Sequence, residues 1–499
     1  MASSEDQPVS FAQRANAIFT VWFTGIAILS DGYNGAIIGN LDLIFTALYP
    51  ESFTTDIYTR VSHAFMIGEI IGMCAFAVIV DRIGRKAGVV ATTLILIVGV
   101  ILSAAASGRD QNGMFWMLIV ARGLVGVGAG GEYPVCGASA IEVSNGPLTR
   151  KRRGLMMSLT CDLMADLGFV IGGIVPLVVL FAFHQSHFEV VWRLCLAIGA
   201  VLPLSIFYFR LKMISNTQYE KHALRSNVPY KLIFKRYWRS ILGTSILFFL
   251  YDYIAWPFSL FSSVIFSHFN AGESIWKSIA WGTLVNAFYV PGCLIGGYIA
   301  DTKFGRRKTI AMGFTIQAIL GFIIGGAFNP LTNNAFGAFV FLYGLFVAVG
   351  EVGPGSCVIL VSGESFPTPI RGHFLGLASA FGKAGSAIGS TVFTSILARY
   401  SNSSDPNKGS QVAFLIGSAF AVLGAICALL LLPDTPKDLE VEDEAFREYL
   451  EANGFDTSQM GMGVARREKT TDEEVGDEKV VMEKGEKQVV VAEQPVVGY

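Results

Sequence analysis

Charged residues are scarce in this sequence. Asp, Glu, Lys and Arg together make up 15% of its 499 residues, whereas hydrophobic residues make up 52%. A soluble domain carries about 25% charged residues, so the composition excludes an ordinary soluble protein and favours one that crosses the bilayer many times. At roughly 20 apolar residues per crossing, the chain has room for about twelve membrane-spanning helices joined by short loops.

Signatures of enzymes and metal proteins are also missing. The seven cysteines all fall inside apolar runs and none has the spacing of metal ligands, so we expect neither a disulfide framework nor a zinc site. The sequence has no phosphate-cradling Gly-Lys-Ser/Thr loop and no nucleophile paired with a histidine. We therefore expect a protein that is not an enzyme and that needs no metal or other cofactor.

Apolar runs predict two sets of six helices. They lie near residues 16–40, 61–80, 88–107, 115–140, 154–182 and 190–210, and near 241–267, 277–300, 309–328, 335–361, 371–398 and 411–432. The predicted fold is an all-α integral membrane protein with six-helix bundles at 16–210 and 241–432. A polar N-terminus (1–15), unlike a cleavable signal peptide, a basic linker (211–240) and a charged tail (433–499) complete the chain. We expect the tail to be largely disordered or to form a short amphipathic helix.

Lysine and arginine are concentrated in alternate loops. The basic clusters lie at residues 82–86, 150–153, 231–236, 306–308 and 371. Because basic loops remain on the cytoplasmic side, this pattern predicts that both termini are cytoplasmic. Asn402, in the sequence Asn402-Ser403-Ser404, is then a candidate glycosylation site in an external loop.

The two sets of helices are related by an internal repeat. Four pairs of landmarks are separated by nearly the same offset, 218 to 221 residues: Asp81 with Asp301, Pro134 with Pro354, Asp31 with Asp252, and Arg153 with Arg371. This regularity predicts two duplicated halves. Transporters built from such repeats place their binding site between the halves, near the middle of the membrane.

The most informative stretch is RGLVGVGAGGEYP, residues 122–134, inside an apolar run. Glu132 is an ionisable group deep in a predicted membrane helix, which costs about 2.5–3.5 kcal/mol or more and indicates a functional site. The alternative is a structural carboxylate bound to a neighbouring helix. Gly126 and Gly130, one helical turn apart, leave a face without side chains against which another helix can pack closely.

Three further ionisable side chains lie in apolar helices: Asp31 in SDGYNG, Asp252 in FFLYDYIAW and Lys383 in ASAFGKAGSAIG. They favour a polar cavity at the interface of the halves. A carboxylate shielded from water can hold a proton near neutral pH, and a lysine ammonium supplies a positive charge for an anion. The residues therefore indicate a proton site and an anion site without separating their roles. A structural ion pair between Lys383 and Asp252 is the alternative.

The stretch around Glu132 resembles the fourth helix of major facilitator transporters, in particular the fungal and plant phosphate:H⁺ symporter family, where an acid precedes Tyr-Pro. The resemblance covers roughly residues 15–440 and includes DRIGR, ESFPT and PDT at 81–85, 364–368 and 433–435. It implies that Asp31 and Glu132 handle protons. It also implies that Tyr133, Asp252 and Lys383 line or contact the phosphate.

The loop motifs of the superfamily imply a second set of roles. Asp81 and Arg85 in the first half, and Asp301 and Arg306 in the second, resemble gating clamps that bind helix ends and basic residues together. These motifs indicate the superfamily and give no information about the substrate.

Several positions depart from the phosphate-symporter pattern. They are Asn34 for an acid, Ala165 (followed by Asp166) for a glutamine, Phe248 for a tryptophan, Trp256 for a tyrosine, Glu69 for a glutamine, and Glu351 and Gly355 for asparagines. The frame of acids and lysine is kept, whereas the hydrogen-bonding lining is altered. This pattern is similar to the glycerophosphodiester branch of the family, such as the fungal glycerophosphoinositol permeases, which the opening SDGYNGAIIGN also resembles.

The resemblance implies a symporter that imports glycerophosphodiesters such as glycerophosphoinositol, with protons, across the plasma membrane by alternating access. Trp256 and Tyr133 would pack against the glycerol or inositol. The expected partners are a small anionic organophosphate, protons and the lipid bilayer; we expect a monomer that binds no nucleic acid. Inorganic phosphate:H⁺ symport and a nutrient sensor with a transporter fold remain the alternatives, and Lys383 argues against a sugar porter.

Overall fold

The computed structural model describes residues 11–83, 85–144, 150–211, 228–269, 274–400, 403–405, 407–432, 439–457 and 460. Over these residues the chain is almost entirely helical and contains no β-strand. The long helices are α1 (Phe11–Leu48), α2 (Thr55–Ile83), α3 (Arg85–Ala104), α4 (Gln111–Val143), α5 (Arg153–Ala182), α6 (Phe188–Ile198 and Val201–Leu211), α7 (Tyr230–Leu260 and Ser262–Phe269), α8 (Ile275–Ala287 and Tyr289–Ala300), α9 (Arg306–Gly326), α10 (Phe336–Glu364), α11 (Thr368–Tyr400), α12 (Lys408–Leu431) and α13 (Leu439–Ala452).

Ten of the described helical segments are long and apolar enough to cross a membrane. The helices at the first and eleventh predicted positions, α1 and α11, have 38 and 33 residues and are also long enough. α11 is less apolar because it carries Arg371, Lys383 and several glycines and serines. The predicted all-α membrane fold is confirmed, with α1 to α12 at the positions of the predicted spans.

The bare face predicted on α4 packs closely against α2. A Cβ atom on Gly126 would lie 2.0 Å from the carbonyl oxygen of Phe65, and one on Gly130 would lie 2.2 Å from that of Glu69. No side chain fits at these distances, so glycine is what allows the two helices to approach. Between the halves, α2 packs against α11 and α5 against α8. These four helices therefore flank the region between the bundles.

Proline explains the interruption of α6. Pro203 has no N–H to donate to the carbonyl of Gly199, four residues earlier, and the helix breaks there. The Asn34 side chain donates a hydrogen bond to the Gly199 oxygen at 3.3 Å. Beside it, the Tyr33 hydroxyl donates to the Cys195 carbonyl at 2.5 Å. Asn34, one of the departures from the symporter pattern, thus joins α1 to α6.

α7 begins earlier than the hydropathy predicts. The apolar run predicts a start near residue 241, but the helix starts at Tyr230, because the basic residues of its first turns lower the hydropathy without breaking the helix. These turns pack against α13, where Phe446 shares a buried apolar cluster with Ile233 and Tyr237. Glu442 of α13 accepts a hydrogen bond from the Tyr237 hydroxyl at 2.5 Å.

α13 also binds the start of α11. Both the backbone N–H and the hydroxyl of Thr368 donate hydrogen bonds to Asp443, each at 2.6 Å. Part of the charged tail is therefore an amphipathic helix docked on the second half. Residues 212–227 of the linker and 461–499 of the tail lie outside the described part of the chain.

Candidate functional site

A cavity lies between the two bundles, where the sequence predicts one. Its lining comes from α2, α4, α5, α7, α8, α10 and α11, that is, from both halves. The polar and aromatic side chains of the lining include Tyr133, Asp162, Asp166, Tyr251, Asp252, Trp256, Tyr289, Glu351, Ser379 and Lys383.

Lys383 is the positive charge of this cavity. Its Nζ lies 3.6 Å from Oε1 of Glu69 and 3.8 Å from Oδ2 of Asp252. The same nitrogen lies 4.0 Å from the centre of the Trp256 ring and 5.4 Å from that of Tyr133. Both N–O distances exceed the length of a hydrogen bond, so charge attraction and the aromatic faces hold the ammonium. The pairing with Asp252 is present but is shared with Glu69.

Glycines around Lys383 bring Asp252 to the amine. A Cβ atom on Gly385 would lie 2.3 Å from the carbonyl oxygen of Phe249, so α7 and α11 approach closely at this level. Ser386 of α11 donates a hydrogen bond to Oδ2 of Asp252 at 3.1 Å. The carboxylate is thus oriented by the helix that carries the lysine.

A second group of polar side chains enters the cavity from α5 and α10. Asp162 ends a π-helical turn in α5, and Glu351 begins one in α10; such wide turns often occur at functional sites. Asp166 follows Asp162 by one helical turn. Tyr251 of α7 donates a hydrogen bond to Oε2 of Glu351. No lysine or arginine of the described residues forms a salt bridge with these three carboxylates.

The two acids predicted to handle protons are buried outside the cavity lining. Glu132 faces α3, where the Thr93 hydroxyl donates a hydrogen bond to its Oε1 at 3.2 Å, whereas the next residue, Tyr133, faces the cavity. Asp31 of α1 is equally buried. The cavity therefore brings together the four residues predicted to bind substrate, Tyr133, Asp252, Trp256 and Lys383, but neither of these acids.

One end of the interface between the halves is closed by ion pairs; we call it the Arg153 end. Arg153 lies 2.9 Å from Glu364, and both side chains are 1% exposed. Arg306 lies 3.1 Å from the same carboxylate and 3.3 Å from Asp301. Asp301 also accepts hydrogen bonds at 2.8 and 2.9 Å from two backbone N–H groups at the start of α5. Burial raises the pKa of Asp301, and these donors and Arg306 oppose that shift.

Asp301, predicted as a gating residue, thus joins the two halves directly. Arg306, also predicted as one, binds the carboxylates of Asp301 and Glu364, which contact the first half. The side chains of the other two predicted gating residues, Asp81 and Arg85, lie outside the described part of the structure. Asn402, the candidate glycosylation site, lies entirely outside it.

The opposite end is closed by close backbone packing between α1 and α7; we call it the Asn40 end. A Cβ atom on Gly39 would lie 2.0 Å from the carbonyl oxygen of Leu260. Ser263 donates a hydrogen bond to the side-chain oxygen of Asn40 at 2.7 Å. Contacts between the halves are therefore present at both ends of the interface.

Sequence reasoning assigned no role to several residues of the site. Glu69 and Glu351 are departures from the symporter pattern, Asp166 lies beside the departure at Ala165, and Asp162 belongs to none of the motifs. A signal was present, because each is an acid within an apolar run, the criterion that singled out Glu132. The sequence does not reveal that Asp162, Asp166 and Glu351 line the same cavity as Lys383, or that Glu69 lies 3.6 Å from the amine.

Comparison with known proteins adds to this geometry. A model of the family described as Major Facilitator Superfamily matches residues 23–389 and, in a second overlapping match, residues 268–470. The major glycerophosphoinositol permease GIT3 of Candida albicans is 33% identical over 473 residues, which cover 93% of this chain and 88% of that protein. Glycerophosphoinositol transporter 1 of Saccharomyces cerevisiae is 34% identical over 452 residues, which cover 89% of this chain and 84% of that protein.

A solved structure shares the fold. The proton:xylose symporter XylE bound to 6-bromo-6-deoxy-D-glucose matches with a TM-score of 0.70, covering 86% of this chain and 99% of that chain at 16% sequence identity. At this identity the likeness concerns the fold alone.

Proposed function

The chain belongs to the major facilitator superfamily, and we propose that this multi-pass membrane transporter is a proton-coupled symporter that imports glycerophosphodiesters, glycerophosphoinositol foremost, across the plasma membrane. The observation that carries the proposal is Lys383, a buried amine between aromatic rings in the cavity between the halves. Relatives named as glycerophosphoinositol permeases and transporters support the substrate class.

The positive charge of Lys383 suits a phosphodiester. A diester carries one negative charge, and the Lys383 ammonium, 3.6 and 3.8 Å from its two carboxylate neighbours, has three N–H donors that can turn toward it. Inorganic phosphate carries more charge and needs more donors around phosphorus. Ala165, which lines the cavity where the symporter pattern has a glutamine, removes a donor and adds room for a second substituent.

The aromatic walls suit the rest of the substrate. Trp256 and Tyr133 flank the lysine, and flat amphipathic rings of this kind pack well against glycerol or a polyol ring. Asp252, held by Ser386, keeps Lys383 in place or accepts a substrate hydroxyl.

Proton coupling is assigned to Asp31 and Glu132. Each is an ionisable group buried in the first half, and such groups in membrane-spanning helices often form proton relays. Glu132 precedes Tyr133 on the same turn of α4, so a change in its protonation can be transmitted to the substrate through that helix.

Transport then proceeds by alternating access between the bundles at 16–210 and 241–432. The Asn40 end opens toward the outside to admit substrate and proton, and the Arg153 end opens toward the cytoplasm, where both termini lie. The ion pairs of Glu364 hold the Arg153 end closed until the substrate is enclosed.

Competition tests the substrate assignment. Uptake of labelled glycerophosphoinositol is measured in cells that lack their own phosphate and glycerophosphodiester transporters, with equal concentrations of unlabelled glycerophosphoinositol or inorganic phosphate added. We expect glycerophosphoinositol to compete and phosphate to compete poorly. Equal inhibition by phosphate would favour inorganic phosphate:H⁺ symport, and binding without accumulation would favour a nutrient sensor.

A further inference from the structure

The carboxylates of α5 and α10 line the cavity but take no part in the Lys383 ion pairs. Asp166 is 3% exposed, and its Oδ2 has no hydrogen-bond partner within the described residues. A buried acceptor in this state is unfavourable unless something donates to it. Asp166 therefore indicates a ligand that carries hydrogen-bond donors.

Two unpartnered donors line the same cavity. Trp256 Nε1 and Ser379 Oγ are in side chains 8% and 1% exposed, and neither finds a hydrogen-bond partner in the part of the chain that the structure describes. Together with Lys383, they point to a ligand that also carries acceptor oxygens, as a phosphodiester does. The cavity thus presents donors from α7 and α11 and acceptors from α5 and α10.

Glycines give the Glu351 carboxylate its position. A Cβ atom on Gly355 would lie 2.3 Å from Oε2 of Glu351, and one on Gly292 would lie 3.0 Å from its Cβ. The hydrogen bond from Tyr251 fixes the same carboxylate from α7. Glu351 is therefore held in one orientation at the cavity wall, where Asp166 also lies.

We propose that Asp166 and Glu351 form a headgroup subsite that accepts hydrogen bonds from the hydroxyl groups of a polyol esterified to the phosphate. This inference rests on the proposed transport of glycerophosphodiesters. A polyol has several O–H donors in fixed directions, which suits a buried carboxylate oxygen without a partner. A quaternary ammonium headgroup has no hydrogen to donate to Asp166, and a phosphorylated headgroup would be repelled by the carboxylates.

Substrate pairs separate the headgroup from the shared phosphate. Initial uptake rates of the full-length protein are measured with labelled glycerophosphoinositol and with the methyl diester of glycerophosphate, which has no headgroup hydroxyl. We expect Asp166→Ala to raise the KM for glycerophosphoinositol by about tenfold or more, the effect of losing a charge-assisted hydrogen bond. The KM for the methyl diester is expected to change by less than about twofold, since that substrate makes no such bond.

Two further variants serve as controls. Ser379→Ala removes a donor assigned to the shared phosphate, so it is expected to raise both KM values by the same factor. Asp166→Asn keeps an acceptor of the same shape, so its KM for glycerophosphoinositol is expected to lie between those of the wild type and Asp166→Ala. Its KM for the methyl diester is expected to stay unchanged. Because KM does not depend on the amount of protein at the cell surface, a partial folding defect does not produce the selective change.

The outcomes are distinct. Equal effects of Asp166→Ala on the two diesters would overturn the headgroup subsite and leave the proposed transport standing. Uptake of labelled glycerophosphocholine by Asp166→Ala is measured in the same way. If it were selectively lost while uptake of glycerophosphoinositol stayed unchanged, the headgroup subsite would also be overturned, because it would then bind a cation. If the wild type takes up neither glycerophosphoinositol nor the methyl diester, the proposed function itself fails and the subsite fails with it.

Discussion

Glu364→Gln is predicted to open the Arg153 end. The carboxylate lies 2.9 Å from Arg153 across the interface of the halves and 3.1 Å from Arg306, and both members of the first pair are 1% exposed. Removing one partner of a buried ion pair typically costs about 3–5 kcal/mol, because the other charge stays buried. Opening exposes Arg153 to water and relieves that cost. If the free energy of opening becomes more favourable by about 3 kcal/mol, the ratio of open to closed protein rises by about 100-fold.

The native cysteines report this opening. Cys161 of α5, Cys293 of α8 and Cys357 of α10 are buried. Cys74 and Cys427, which are not fully buried, are first replaced. In this background a water-soluble maleimide should react with the three buried cysteines faster in Glu364→Gln than in the parent. We expect an increase of about tenfold or more in the labelling rate, since labelling follows the open population.

Glu189→Gln is the matched control. Glu189 pairs with Arg193 at 3.2 Å within one helix, and its side chain is 60% exposed, so its loss should change little. Labelling of folded Glu364→Gln at the rate of the parent would refute the reasoning, because the ion pair would then not hold this end closed.

Three other substitutions test the remaining parts of the account. Lys383→Met keeps the length of the side chain and removes its charge, so the KM for glycerophosphoinositol should rise by about 10- to 100-fold; an unchanged KM in initial-rate uptake would contradict the anion site. Glu132→Gln keeps an acceptor for Thr93 but cannot titrate, so accumulation against a gradient should fail while exchange of labelled for unlabelled substrate continues; normal accumulation would remove Glu132 from proton coupling. Gly126→Ala places a Cβ atom 2.0 Å from a backbone oxygen of α2 and should lower the melting temperature of the purified protein, whereas Gly326→Ala, with nothing within 4 Å, should not; equal melting temperatures would contradict the close packing of α2 and α4.

Much of the fold could be predicted because the bilayer imposes a simple requirement on each helix. Long apolar runs gave the helices, and the bare face at Gly126 and Gly130 correctly indicated where another helix approaches. The predicted start of α7 was wrong because hydropathy measures the preference for lipid, whereas a helix can extend into water if its first turns pack against another segment. Here that segment is α13, whose contacts join segments about 200 residues apart.

The site was predicted less completely, since its geometry depends on the relation between the halves. Asp252 and Lys383 could be paired from the sequence because both are rare charges in apolar helices. Glu69 lies on α2, in the other half, and only the packing of α2 against α11 brings it to 3.6 Å from the lysine. The π-helical turns at Asp162 and Glu351 change the direction in which these side chains point, and helical periodicity in a sequence does not reveal such turns.

The most direct test of the central claim uses purified protein in liposomes with an imposed pH gradient and no other energy source. With the acidic side outside, labelled glycerophosphoinositol should accumulate inside above its external concentration, and a protonophore should abolish that accumulation. The same level of uptake with and without the gradient would contradict proton coupling. Accumulation of inorganic phosphate in place of glycerophosphoinositol would contradict the substrate assignment.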